Sequence, residues 1–300
     1  MSDWLISLEG TEAGHQVAMF LAIFAALLHA IFGALQKGRH DPWLTRGAID
    51  VSYLIMSAPI AFFVVPWPEP YMWPIFFGAF VIHVAYKVTQ AQAYSLGAYT
   101  VVYPVVRGMG PLFTVIGAYF VFGETFTFTQ WFGVGVLVSG IFGLAAYNLA
   151  HTILARETLI KALFMAVITG VTVALYTTYD AYGIRATADP FTFLAWFFMI
   201  DGLVMPVIAL RRWRRMENAP AVLPLLGRGV IGAFVAYGSF GSILVATRLD
   251  NVGEAAVLRE TSVVFAALIG WFFLKDTVGP RRLALMALIA LGAVIVEMGS

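Results

Sequence analysis

The sequence predicts an all-α integral membrane protein of ten transmembrane helices, arranged as two inverted five-helix repeats. Three observations predict it. Of the 300 residues, 61% are hydrophobic and 12% are charged, about half the charge of a soluble domain, and the mean hydropathy is +0.86. Ten windows reach the roughly 20 apolar residues that a spanning helix needs. The chain also repeats itself at an offset of 152 residues: Arg107 matches Arg259, Phe113 matches Phe265, Phe120 matches Phe272, Thr125 matches Thr277 and Gly140 matches Gly292. An odd number of spans per repeat inserts the second copy upside down relative to the first, the plan of many secondary transporters.

Residues 1–14 form a polar lead-in without the basic start and cleavage site of a signal peptide. The first repeat, 15–149, holds windows at 15–36, 47–65, 73–93, 98–122 and 128–149. The second, 158–297, holds windows at 158–181, 190–210, 228–247, 252–274 and 279–297. The early part of each repeat matches in outline, with His29–Gly33 and Asp41-Pro42 beside Tyr179–Gly183 and Asp189-Pro190. The fourth window carries Pro104, Gly108, Gly110 and Pro111, which loosen a helix and permit bends. On the fifth, Gly135, Ser139 and Gly143 stand at four-residue spacing with Gly133 and Gly140 nearby. Such small residues serve close packing, either within one chain or between two, so a monomer and a homodimer are both open.

Basic residues set the orientation. Of 18 Lys and Arg, thirteen fall in the odd-numbered loops, two (Arg185 and Arg248) in the even loops and tails, and three within the membrane. Odd loops are therefore expected in the cytoplasm and both termini outside. The absence of cysteine excludes disulfides and thiol chemistry. No Walker A, zinc-protease, dinucleotide-binding or nucleophile-elbow motif occurs, and His15, His29, His40, His83 and His151 have no metal-ligand spacing. No enzyme activity, cofactor, metal or nucleic-acid partner is expected; the expected partners are a small-molecule substrate and the lipid bilayer.

Each half closes its fourth window with a short acidic turn, Phe122-Gly123-Glu124 and Leu274-Lys275-Asp276. These turns, the ten spans and the matching stretches at 93–145 and 246–297 resemble the drug/metabolite transporter superfamily, more narrowly its paired EamA domains. The resemblance implies a carrier, often an exporter, of small metabolites such as amino acids, with a cavity between two four-helix groups in a bacterial inner membrane. A membrane channel or a membrane-embedded enzyme is the alternative. Many bacterial relatives are drawn with internal termini, unlike the orientation expected here.

Charged residues at bilayer depth mark function or structural pairing. His83 and Lys87 stand at i and i+4 on the third window, and Tyr99, Tyr103 and Arg107 follow the same spacing on the fourth. Together they suit a carboxylate or other anion, with tyrosine rings against planar or cationic parts. Arg259 and Trp196 complete the substrate-binding candidates. Structural readings stand beside these: Arg107 and Arg259 as scaffold arginines, Lys87 snorkelling to the interface, Trp196 in packing. Desolvation disfavours the charged form of a carboxylate, so Glu260 and Asp180 are candidates for proton coupling; an ion pair for Glu260 and an interfacial position for Asp180 are the alternatives.

Overall fold

The computed structural model describes residues 2–36, 41–96, 99–150, 156–274 and 279–299. Among them every regular element is helical. After a short α1 (Ser2–Ile6), the first half runs α2 (Glu12–Gln36), α3 (Pro42–Phe63), α4 (Met72–Leu96), α5 (Tyr99–Phe122) and α6 (Phe128–Ala150). The second half runs α7 (Arg156–Ala186), α8 (Pro190–Asp201), α9 (Val204–Trp213), α10 (Val222–Leu249), α11 (Val252–Arg259), α12 (Ser262–Leu274) and α13 (Pro280–Met298). Seven stretches among the described residues are long and apolar enough to cross a membrane by length and composition. The other three expected windows are helical too: 47–65 on α3, with Asp50 inside it; 252–274, divided between α11 and α12, with Glu254, Arg259 and Glu260; and 279–297 on α13, with Arg281, Arg282 and Glu297. The molecule wears large apolar side chains outward, with Phe120 78% and Phe128 87% exposed, as a lipid-facing surface requires.

The duplication is visible in local chemistry. Asp41 caps α3 by accepting from Trp43 N at 2.9 Å, and Asp189 caps α8 by accepting from Phe191 N at 2.9 Å, each with proline at the first helical turn. Helix pairings survive exchange of the halves. α2 packs on α10 as α7 packs on α4, α5 on α7 as α12 on α2, α3 on α10 as α8 on α4, and α6 meets α13 across the pseudo-axis. That last crossing is glycine-dependent. A Cβ at Gly292 would lie 2.4 Å from Leu137 N and 2.7 Å from Gly133 O. Gly133, Gly140 and Gly143 all face α13, whereas Gly135 has open space beside it and Ser139 is exposed.

Two expected windows are broken. The seventh divides at Gly202-Leu203, and a Cβ at Gly202 would meet Asp50 O at 2.8 Å, so the break lets α3 approach closely. The ninth divides at Glu260-Thr261. Its counterpart α5 stays helical from Tyr99 to Phe122 despite Pro104, Gly108, Gly110 and Pro111. The interruption thus falls in the copy of this window that has no proline, where Arg107 from the other half donates to the carbonyl of Arg259.

At one end, two helices of the second half are cross-tied. Arg248 on α10 donates to Ile184 O at 2.5 Å and Thr187 O at 2.6 Å, at the end of α7. Arg185 on α7 donates to Thr247 O at 2.7 Å and Asp250 O at 2.6 Å, at the end of α10. Each arginine therefore meets the negative end of the other's helix dipole. Gly123, at φ +71°, ends α5 in a left-handed turn. The turn delivers Glu124 to Val252 N at 2.8 Å and Gly253 N at 3.0 Å, so the first half caps α11 of the second. The matching Lys275-Asp276 turn lies outside the described residues.

Candidate functional site

A cavity of about 70 Å³ lies between the halves, with room for roughly five waters. Rings of Tyr86, Tyr176, Phe197, Phe198 and Phe240 line it, together with the polar groups of His29, Arg46, Tyr53, His83, Ser239, Asp201 and Arg259. His83 packs among these rings, its centroid 4.7 Å from that of Tyr176 and 4.9 Å from that of Phe197. A solute of metabolite size needs the walls to part.

On one side stands a buried ionic network. Lys87 on α4 is 1% exposed. Its Nζ lies 2.5 Å from Asp50 Oδ2 and 2.8 Å from Asp201 Oδ1, and donates to Tyr53 OH and Asp201 O, each at 2.7 Å. Arg46 Nε reaches Asp50 Oδ1 at 2.9 Å, one helical turn away on α3. Tyr53 OH donates to Asp201 Oδ2 at 2.6 Å. His83 Nε2 lies 2.6 Å from Asp180 Oδ2, and its Nδ1 is 3.6 Å from Asp201 Oδ1. The break after Asp201 matters here, because the C-terminus of a half-helix presents free carbonyls to a cation.

The ninth window repeats that device. Arg107 on α5 places Nε 2.8 Å from Glu260 Oε2, and its Nη2 donates to Arg259 O at 3.3 Å and Ser262 Oγ at 3.2 Å. Each helix break of the second half is thus met by a buried cation of the first: Lys87 at the end of α8, Arg107 at the end of α11. Arg259 differs from both. It is 4% exposed and lines the cavity, its Nη2 makes one 3.5 Å contact with Thr177 Oγ1, and its Nε has no hydrogen-bond partner.

Of the residues singled out from sequence, His83 and Arg259 line the cavity. Lys87, Arg107, Glu260 and Asp180 lie buried behind or beside it in the pairs just described. Tyr103 is buried one turn before Arg107. Trp196 packs away from the cavity, its ring 5.0 Å from that of Trp67 and 5.4 Å from that of Trp73. The side chain of Tyr99 lies outside the described residues. Asp50 and Asp201 lie within the second and seventh expected windows, but nothing in the sequence pairs them with Lys87. Arg46, counted among the basic residues of the odd-numbered loops, lies instead on α3 at the cavity, and Tyr53, Phe197, Phe198 and Phe240 had been given no role. The i, i+4 spacing of Arg46 and Asp50 was the available signal; the aromatic run at 197–198 reads equally well as core. His15 also meets Asp250 and Glu254 with ligand atoms within 4.8 Å of one another, but its ring is bonded to Asp250 and lies 3.3 Å from Glu297.

Comparison with known proteins places these features in a family. One solved crystal structure, described only as that of a protein, matches with a TM-score of 0.74 at 16% identity over 96% of this chain and 98% of that chain. At that identity the likeness shows the fold alone. No curated protein matches the sequence. The EamA-like transporter family model matches twice, over residues 16–146 and 160–298. With a buried cation at each helix break, a cavity between two matched halves and that model covering most of its length, the chain belongs to the EamA-like transporter family.

Proposed function

We propose that this protein is a secondary carrier, rather than a channel or an enzyme, that moves a small organic solute bearing an anionic group by alternating access. In this reading ten spans form two inverted repeats, 15–149 and 158–297, both termini lie outside, and the protein sits in a bacterial inner membrane and works in export. Amino acids and related anionic or zwitterionic metabolites are the substrate class. The observation that carries the reading is Arg259: a buried guanidinium facing the cavity, its Nε without a partner, where a carboxylate would find both charge and donors. The rings of Phe197, Phe240 and Tyr176 offer planar surface to the rest of the solute, and His83 and Ser239 offer polar contacts. Lys87 and Arg107 act indirectly, by holding the helix breaks that shape the cavity.

Counterflow in proteoliposomes tests this. Vesicles preloaded with a mixture of amino acids and small carboxylates should show saturable, accelerated uptake of labelled members of the mixture. Arg259→Gln should lower that uptake by at least tenfold while leaving the protein folded, and Arg259→Lys should retain part of it. Non-saturating conductance, or undiminished uptake in Arg259→Gln, would refute the reading.

A further inference from the structure

The charges around the cavity, all buried except the part-exposed Arg46, divide into two groups of opposite sum. Around Lys87, the cations Arg46 and Lys87 face the carboxylates Asp50, Asp180 and Asp201, leaving one negative charge in excess while His83 is neutral. At the end of α11, Arg107 and Arg259 face Glu260, leaving one positive charge in excess. Each group also contains an unpartnered buried atom of a charged side chain, Asp180 Oδ1 in the first and Arg259 Nε in the second, within residues 0% and 4% exposed. The other buried charged atoms without hydrogen bonds in these groups lie in measured ion pairs.

The two atoms are linked through α7. Arg259 touches Thr177, and Asp180 lies three residues further along, on the same helix face. Three charged or titratable groups face Asp180 from other helices, His83 from α4, Asp201 from the end of α8 and Arg259 from α11, and Tyr179 adjoins it on α7. Beside them α5 sets Gly117 against Thr178 and brings Arg107 within electrostatic reach of Tyr176, while α10 sets Phe240 against Tyr176 and Arg248 against the carbonyls of Ile184 and Thr187. With both sums combined the empty core is neutral. A monoanion seated on Arg259 would leave it one negative charge in excess, in surroundings where an uncompensated charge costs several kcal/mol.

We infer that anion and proton bind together, the anion on Arg259 and one proton on the Asp180–His83 pair, so that each monoanion is carried with one proton. The proton passes from hydronium to the pair, breaking one O–H bond of the hydronium, which leaves as water, and forming one O–H bond at Asp180 or one N–H bond at His83. The inference rests on the reading of Arg259 as the anion site. It adds that the ligand carries a net charge of −1, since the cavity offers an unpartnered cation while the carboxylate lining it, Asp201, is held by Lys87 and Tyr53.

Infrared difference spectra of the full chain in liposomes test the charge balance without a ligand. Removing the Arg259 charge is the electrical equivalent of seating an anion. Arg259→Gln should therefore gain a proton on the pair, seen as a protonated-carboxyl or imidazolium band. Arg259→Lys should lack it, and Asp180→Asn added to Arg259→Gln should abolish it. No such band in folded Arg259→Gln, or one that survives Asp180→Asn, overturns the inference.

Transport supplies the second measurement, with benzenesulfonate as probe because it does not cross a bilayer as its neutral acid. Uptake with one proton entering per anion, and apparent affinity rising about tenfold per unit fall in pH, supports the inference. So does loss of the accompanying proton in Asp180→Asn, whose amide mimics the protonated acid. Uptake of benzenesulfonate with no proton movement overturns it and leaves Arg259 as the anion site. If neither this probe nor the amino acid and carboxylate mixture is taken up by folded protein, the carrier reading fails, and the infrared result alone decides the charge balance.

Discussion

With its ammonium within hydrogen-bond reach of Asp50, Tyr53 and both the side chain and the carbonyl of Asp201, Lys87 has more acceptors around it than protons to give. It is committed to the scaffold. Replacing it with methionine keeps the length, leaves Asp201 without its cation and leaves Asp50 to Arg46 alone, a loss of about 3–5 kcal/mol. Thermal unfolding in detergent should show a large fall in Tm; an unchanged Tm would mean that Asp50 and Asp201 find another partner. Arg259→Gln should behave oppositely, with little loss of stability, because its guanidinium holds no carboxylate among the described residues. At this scale the sequence was legible in type and illegible in pairing. It showed that Lys87, Arg107, Asp180 and Glu260 stand at membrane depth. It could not show that Lys87 meets residues 37 and 114 positions away, because those contacts arise only when α3, α4 and α8 pack.

The elements carry the duplication in their ends. Asp41-Pro42 and Asp189-Pro190 are readable as equivalent N-caps because capping is local chemistry within four residues. The two helix breaks were not readable. The proline-rich fourth window invites a bend yet stays helical, while Arg259-Glu260-Thr261, with no proline or glycine, gives way. Tertiary partners decide, since Arg107 from the other half accepts the role of cap at the freed α11 terminus. Glu124 does the corresponding work at the start of α11. Glu124→Gln removes the charge from two charge-assisted hydrogen bonds, and Glu124→Ala the cap altogether; the second should cost about 1 kcal/mol and raise amide exchange at Val252 and Gly253. The α6–α13 crossing is stricter. Gly292→Leu forces a side chain into Leu137 and Gly133 and should cost about 1–3 kcal/mol, again read as a fall in Tm, whereas Gly135→Leu has open space and should be neutral if that face meets lipid.

For the whole molecule, composition and the 152-residue repeat were enough to read a helical membrane protein in two matched halves. Those signals are global sums and periodicities that survive ignorance of packing. A cavity between the two halves was expected from the family resemblance, but its lining was not readable, because α2, α3, α4, α7, α8, α10 and α11 all contribute to it. The basic-residue asymmetry assigns Arg185 and Arg248 to one face, and the structure joins them there across α7 and α10. If that joint closes the cavity on its side, Arg185→Gln with Arg248→Gln should expose a cysteine introduced at Ser239 to an impermeant maleimide several-fold faster than in the parent. The cysteine-free chain makes such labelling free of background. Labelling at the parent rate would place the closure elsewhere.

Because each of these arginines grips the carbonyls beside the other's root, neither can let go while its counterpart holds. The joint behaves as a toggle with two rest positions instead of a hinge with a continuous range. Parting α7 from α10 strips four carbonyls of their donors in one event, while Arg248 keeps Glu9 and Arg185 keeps Glu124. The single substitutions should accordingly be non-additive, with a coupling of about 0.5–3 kcal/mol in a double-mutant cycle.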